Sequence, residues 1–221
     1  MLYKNFITDL DNFVFENFDV LELLYPRESD CKYASIIKSV EEGKKFIEMK
    51  NEIEVFYRFQ GMDTEKRGNL LKIFDNEKKK IKQMNMDNID KIYELYCSLL
   101  DKTAIITSKN QYVNTSKLMN LCNQNIPLYD NNVINVINHF HYVIEKRTKR
   151  TYFHILNIYN LLDDPKNIPN IIELKNSIYG KTSINEINLL KFLDTLMYFI
   201  NDTEKLLKYK LLCTRKGQTS T

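Results

Sequence analysis

Apolar side chains recur at intervals of three to four along nearly the whole chain. Leu2, Phe6, Leu10, Phe13 and Val14 keep that spacing, as do Leu21 and Leu24, before Pro26 closes the opening segment. Such a stripe is one face of an amphipathic helix, because a helical turn takes about 3.6 residues. Residues 30–59 carry Ile36, Ile37, Val40, Phe46, Ile47, Ile53, Val55, Phe56 and Phe59, read as two helices meeting near Gly43. Gly61 and Gly68 bracket a polar connection, GMDTEKRG, and a helix runs on from Leu70 to Met84. Asp87 is read as the N-cap of a helix from Ile89 to Leu100, whose stripe is Ile92, Leu95, Tyr96 and Leu99. A short helix spans Thr115 to Cys122, the loop NQNIP follows, and Asp130 caps a helix carrying Val133, Ile134, Val136, Ile137 and Phe140. Thr151 to Leu162 and Pro169 to Ile178 are helical, with Pro169 suited to a first turn. Ser183 and Glu186 form a capping box for Leu189 to Ile200. Glu204 to Leu212 closes the pattern, ahead of a loose tail, RKGQTST.

No sustained period-two alternation interrupts this pattern. The best strand candidate is TAIIT, Thr103 to Thr107. The pattern predicts an all-α fold of about eight to ten helices in a compact orthogonal bundle. Residues 1–221 are read as a single helical domain, with a sub-domain boundary near residues 102–114 as the alternative, because the polar stretch SKNQYVN separates two helical sets.

Composition adds exclusions. Five glycines and four prolines are too few for a many-turned β-sandwich or a glycine-rich phosphate loop. Asn, Lys, Ile and Tyr bias of the AT-rich kind fills the chain, so richness in Asn or Lys carries no functional weight here. Cys31, Cys97, Cys122 and Cys213 lie far apart, without zinc spacing, and read as buried or idle thiols in a reducing compartment. Asp9 and Asp11 interrupt the opening residues, so no signal peptide and no membrane span is expected, and the location expected is cytoplasmic. Motifs for nucleotide phosphates, zinc proteases and serine hydrolases do not occur, and no cofactor and no metal are expected. His139, His141 and His154 cluster in sequence, but positions 139 and 141 point apart on a helix.

Charge is uneven. Residues 1–30 hold two bases and seven acids, a net of −5, whereas residues 111–221 hold fourteen bases and nine acids. The densest basic run is EKRTKR, with Lys146, Arg147, Lys149 and Arg150 flanked by His141, Tyr142, Tyr152 and His154. Cations interleaved with rings suit phosphates and bases, which makes nucleic acid the candidate partner. The alternative is a solvated helix end whose cations favour a C-terminal turn. The N-terminal acids are candidates to mask the patch.

The segment NTSKLMNLCNQNIPLYDNNVINVI, residues 114–137, joins a short helix, a turn at Ile126-Pro127 and the Asp130 cap. It resembles a group of uncharacterised bacterial helical proteins with a KLLHF-x-NP-x-x-FPI-x-D-x-x-V pattern. The matches are Lys117, Leu118, Pro127, Leu128, Asp130 and Val133; Asn120 stands in place of His, and Gln124 in place of a Pro. FYRFQGMDTEKRG and LLKFLDTLMYFI echo two further segments of the same proteins. The pattern is distantly similar to the helix-hairpin-helix DNA glycosylases, although no glycine hairpin precedes Lys117. That resemblance implies a glycosylase-like fold, with Asp130 in the place of the catalytic Asp and Lys117 in that of the Schiff-base lysine. A carboxylate at a helix N-terminus stabilises positive charge on a sugar, and a nearby amine attacks its anomeric carbon. Tyr129 and Tyr112 are candidate stacking partners for a flipped base. The bland alternative is an ordinary Pro-x-x-Asp helix start beside a surface lysine. Two functions therefore stand side by side: a nucleic-acid-related protein, and a non-enzymatic helical scaffold of a mobile-element or defence locus. The sequence leaves open whether the chain is an enzyme.

Overall fold

The computed structural model describes residues 3–57, 62–140, 144–146, 148–180 and 188–201. Among these residues the chain forms eleven α-helices and no strand. The helices are α1 (Lys4–Glu16), α2 (Phe18–Leu24), α3 (Arg27–Glu41), α4 (Lys50–Tyr57), α5 (Thr64–Lys82) and α6 (Ile89–Thr107). They continue as α7 (Tyr112–Cys122), α8 (Asn131–His139), α9 (Lys149–Leu162), α10 (Pro169–Tyr179) and α11 (Leu189–Asn201). The all-α expectation holds, with one helix more than its upper bound. The extra element arises because the opening segment divides at Asn17, whose backbone leaves the helical region and whose carboxamide donates to the Phe13 carbonyl at 2.7 Å.

TAIIT is not a strand. Thr103 to Thr107 complete α6, where Thr103 and Thr107 are buried and donate to the Leu100 and Thr103 carbonyls. The β-branched run is helical because its apolar neighbours Leu95, Leu99 and Leu100 continue one helical face into it. Residues 108–111 turn the chain, with Ser108 in the left-handed region at φ 59°, a position that usually takes glycine. Across that turn α7 packs on α6, and Tyr96 donates to the Tyr112 carbonyl. GMDTEKRG is also not all connection. Asp63 accepts from the Lys66 amide at 2.8 Å and starts α5, so Gly68 lies inside a helix.

The cap of α6 is Asn88 rather than Asp87. Asn88 accepts from the Lys91 amide at 3.1 Å, while Asp87 sits in a 3-10 turn over residues 86–88. Gly43 turns the chain after α3 at φ +94° and Pro169 opens α10, as the pattern predicts. The capping box of Ser183 and Glu186 and the helix over 204–212 lie outside the described residues. Asn188 caps α11 by accepting from the Lys191 amide at 2.8 Å.

Several acids that look like surface charge serve as caps across the fold. Asp11 of α1 is buried and accepts from the Ile171 and Asn170 amides, supplying the cap that apolar Ile168 cannot give α10. Asp75 of α5 accepts from the Phe46 and Ile47 amides after α3. Asp30 is fully buried and accepts from the hydroxyls of Tyr179 and Thr195. These bonds fix how α1, α3, α10 and α11 approach one another. Packing of α8 on α11 and of α5 on α6 and α7 completes the frame that holds the site.

Candidate functional site

Lys117 and Asp130 meet. The Lys117 ammonium lies 3.2 Å from Asp130 Oδ2, with the two side chains 14% and 21% exposed. Lys117 stands on α7, and Asp130 is placed by the loop between α7 and α8. Asn120 donates to the Ile126 carbonyl at 2.8 Å, and Ser116 Oγ accepts from the Tyr129 amide at 2.8 Å. Tyr152 of α9 donates to the Pro127 carbonyl at 3.0 Å. The loop is thus fastened at three points, and it delivers Asp130 to the start of α8. There Oδ1 accepts from the Asn132 amide at 2.9 Å, the predicted N-cap bond.

Asn120, where the bacterial pattern carries His, has its own structural work. It is buried, bonds the loop with its amide group and accepts from the Tyr33 hydroxyl at 2.8 Å.

Around this pair lies a larger charged cluster that the sequence reading did not assemble. Lys191 and Asp194 of α11 form a second ion pair at 3.2 Å, their side chains 5% and 13% exposed. The Lys191 ammonium stands 4.8 Å from the centre of the Tyr33 ring and 5.7 Å from that of Phe56. Lys117 stands 5.3 Å from the centre of the Tyr57 ring. Rings facing cations at these distances offset part of the cost of removing them from water. Burial raises the Asp194 carboxyl above the ordinary carboxylate range; Lys191 opposes the rise, Asp130 adds to it, and Lys117 opposes it. The Tyr57 hydroxyl is held well above its usual value by burial first, then by Tyr33, Asp194 and Asp130. Tyr159 of α9 is raised in the same way, by burial and then by Asp194 and Asp130. Two lysines and two aspartates therefore balance in charge within one aromatic enclosure built from α3, α4, α7, α8, α9 and α11.

A signal for the second pair was present. Lys191 and Asp194 stand i,i+3 inside LLKFLDTLMYFI, where almost every neighbour is apolar. Charges in such a helix are buried, and buried charges come paired.

The candidate stacking tyrosines fare differently from the pair. Tyr129 is fully buried, with its ring 6.0 Å from Tyr112 and 6.3 Å from Tyr152. It belongs to the core and is no platform for a flipped base. Tyr112 is half-buried and stacks on Tyr129.

The basic run is not at a C-terminal turn. Lys149 and Arg150 occupy the first turn of α9, behind the N-cap Thr148, which accepts from the Thr151 amide at 3.1 Å. Cations there oppose the helix dipole. Lys149 is paired with Asp101 of α6 at 2.7 Å, a contact that raises its ammonium above the ordinary lysine value. Lys146 and Arg150 are exposed, and Arg147 lies outside the described residues. The N-terminal segment touches α9 through Tyr3, whose hydroxyl is 2.7 Å from His154 Nδ1, and Lys149 takes its partner from α6 rather than from that segment.

Among the described residues no group of His, Cys, Asp and Glu is arranged to hold a metal, and no helix is long and apolar enough to cross a membrane. His139 packs edge-on against Phe140, and His141 and Cys213 lie outside the described residues. Cys31, Cys97 and Cys122 are unbridged. No known protein family, curated protein or solved structure matches the chain.

Proposed function

We propose that the chain is a nucleic-acid-directed helical protein whose working site is the Lys117–Asp130 pair. One observation carries this reading: three segments far apart in sequence, around residues 56–57, 117–130 and 191–194, converge on a single charged cluster. These are the segments that resemble the bacterial helical proteins, and through them a degenerate form of the glycosylase fold. The chemistry that fits is cleavage of an N-glycosidic bond. Lys117 passes a proton to Asp130, and its amine attacks the anomeric carbon. The base leaves with the electron pair of the broken bond and takes that proton from Asp130, whose restored carboxylate balances the substituted ammonium left on the sugar. This ammonium passes a proton to the ring oxygen as the ring opens to the imine. Lys146 and Arg150 supply phosphate contacts that position without specifying sequence.

Borohydride reduction tests this reading. It converts an imine between Lys117 and the opened sugar into a stable adduct. Incubation with duplex and single-stranded oligonucleotides bearing uracil or an oxidised guanine should yield an adduct that Lys117→Met abolishes. Asp130→Asn should slow base release by about a hundredfold or more. Absence of adduct and of base release from a folded wild-type chain on all these strands rejects the proposal.

A second reading is favoured by the depth of Lys191–Asp194. The pair lies within α11, and the Lys191 ammonium against the Tyr33 and Phe56 rings ties that helix to α3 and α4, so that the whole cluster serves architecture. The chain would act as a non-enzymatic scaffold, and substitutions in the cluster would lower stability without a separate loss of activity.

A further inference from the structure

We propose that the groove at the junction of α1 and α2 is a docking surface for a cationic amphipathic segment of a partner protein. The groove has a volume of about 350 Å³ and is walled by Phe15, Glu16, Phe18, Asp19 and Val20, with Glu173 of α10 completing it. It exists because the chain leaves the helix at Asn17 and restarts at Phe18.

Its apolar content is unusually open to water. Phe15 is 68% exposed and Leu23 is 72% exposed. Leu23 stands four positions beyond Asp19 on α2, which places it one turn along the same face. Among the described residues the other strongly exposed apolar side chains, Val55, Ile105 and Tyr198, belong to α4, α6 and α11, one to each. Phe15 lines the groove and Leu23 follows one turn beyond its Asp19 wall, so the two exposed apolar side chains of this end extend the apolar part of the groove.

Charge selects the occupant. Glu16, Asp19 and Glu173 are exposed, and none is in an ion pair with a described residue. Of the seven acids in the first thirty residues, Asp11 and Asp30 are buried inside the fold, so the charge at the groove is that of Glu16, Asp19 and Glu173. Three carboxylates around an exposed ring suit an ammonium or guanidinium, which gains from the carboxylates and from the ring face. An apolar side chain of the same segment would cover Phe15 and Leu23. The same carboxylates repel nucleic acid, so binding in this groove is independent of the reading given for Lys117. The groove is small, which suits one segment and a transient complex.

The test is fluorescence anisotropy on the full chain, with a labelled peptide of Lys and Leu at amphipathic helical spacing. A matched peptide with Glu in place of Lys is the control. The Lys–Leu peptide should bind with a Kd on the order of 10 µM and the Glu–Leu peptide should not bind. Phe15→Ala, and the triple variant Glu16→Gln, Asp19→Asn, Glu173→Gln, should each weaken binding by about tenfold. A distant triple variant, Glu65→Gln, Asp90→Asn, Glu94→Gln, should change it by less than a factor of two. Equal losses in the two triple variants would show diffuse attraction to net charge and overturn the proposal. So would failure of the Lys–Leu peptide to bind, or self-association of the chain that Phe15→Ala abolishes, which would assign the groove to a second copy.

Discussion

Two lysine–aspartate pairs in this chain share their chemistry and differ in setting. Lys149–Asp101 is the shorter, at 2.7 Å against 3.2 Å for Lys117–Asp130. Distance alone would rank it the stronger. Its side chains, however, are 39% and 64% exposed, against 14% and 21% in the other pair. Water and salt screen the exposed pair, whereas the enclosed pair works at a lower effective dielectric and carries a desolvation cost that only its partner offsets. Removing one member of the enclosed pair therefore strands a charge, and removing one member of the exposed pair returns a charge to water.

The largest effect is expected at Asp130. Asp130→Ala strands the Lys117 ammonium and removes the α8 cap, and should cost about 3–5 kcal/mol in urea unfolding. Lys117→Met should cost less, because Asp130 keeps its bonds to Asn132. The double variant should cost less than the sum of the two, since no charge is left stranded. If either single variant loses under about 1 kcal/mol, the pair is as well solvated as Lys149–Asp101 and the contrast disappears.

The second pair sharpens the comparison through pH. Burial raises the Asp194 carboxyl, so the folded chain binds that proton more tightly than the unfolded chain does. Its contribution to stability falls as pH rises from the unfolded value through the raised folded value, and it is regained on acidification through the same window. The groups facing it are Lys191, Lys117, Asp130, Tyr33, Tyr57 and Tyr159. Asp194→Asn removes this component and adds an offset from the stranded Lys191. Stability of the wild type minus that of the variant should thus increase as pH is lowered from about 7 towards 4. A flat or opposite difference would mean that Asp194 titrates like a solvated carboxylate.

The helices and the Asp130 cap were legible because both depend on local rules. Apolar spacing sets a helical face, and a short acceptor before that face caps it. Where local rules offered two answers, the sequence misled. Asp87 and Asn88 are both good caps, and the 3-10 turn over 86–88 decides for Asn88. TAIIT has strand-forming residues, but its place at the end of a helical face outweighs them. What could not be read was long-range. Asp11 capping α10, and Lys191–Asp194 joining Lys117–Asp130, depend on how distant helices approach. Tyr129 looked available beside Asp130, yet the Ser116 and Tyr152 bonds that position the loop also bury its ring.

The smallest effect is expected at the exposed pair, and it bears on partner binding more than on stability. Asp101→Asn should change stability by no more than about 1 kcal/mol, and by less as salt is raised. The same change releases Lys149 from its partner. If nucleic acid binds at the start of α9, Lys149 then becomes available to a phosphate alongside Lys146 and Arg150. Each additional phosphate neutralised on B-DNA steepens the salt dependence of affinity by roughly 0.9 log units per log unit of salt. Asp101→Asn should accordingly raise affinity at low salt and steepen the slope by about that amount, and replacing Lys146, Arg147, Lys149 and Arg150 together by Ser should flatten it. The gain should be alike for all sequences, because phosphate contacts do not read bases. Gel shifts across a salt series, with single- and double-stranded probes, measure both slopes. An unchanged slope in Asp101→Asn together with an unchanged slope in the fourfold Ser variant would remove this end of α9 from any nucleic-acid surface and leave its cations as solvated charge.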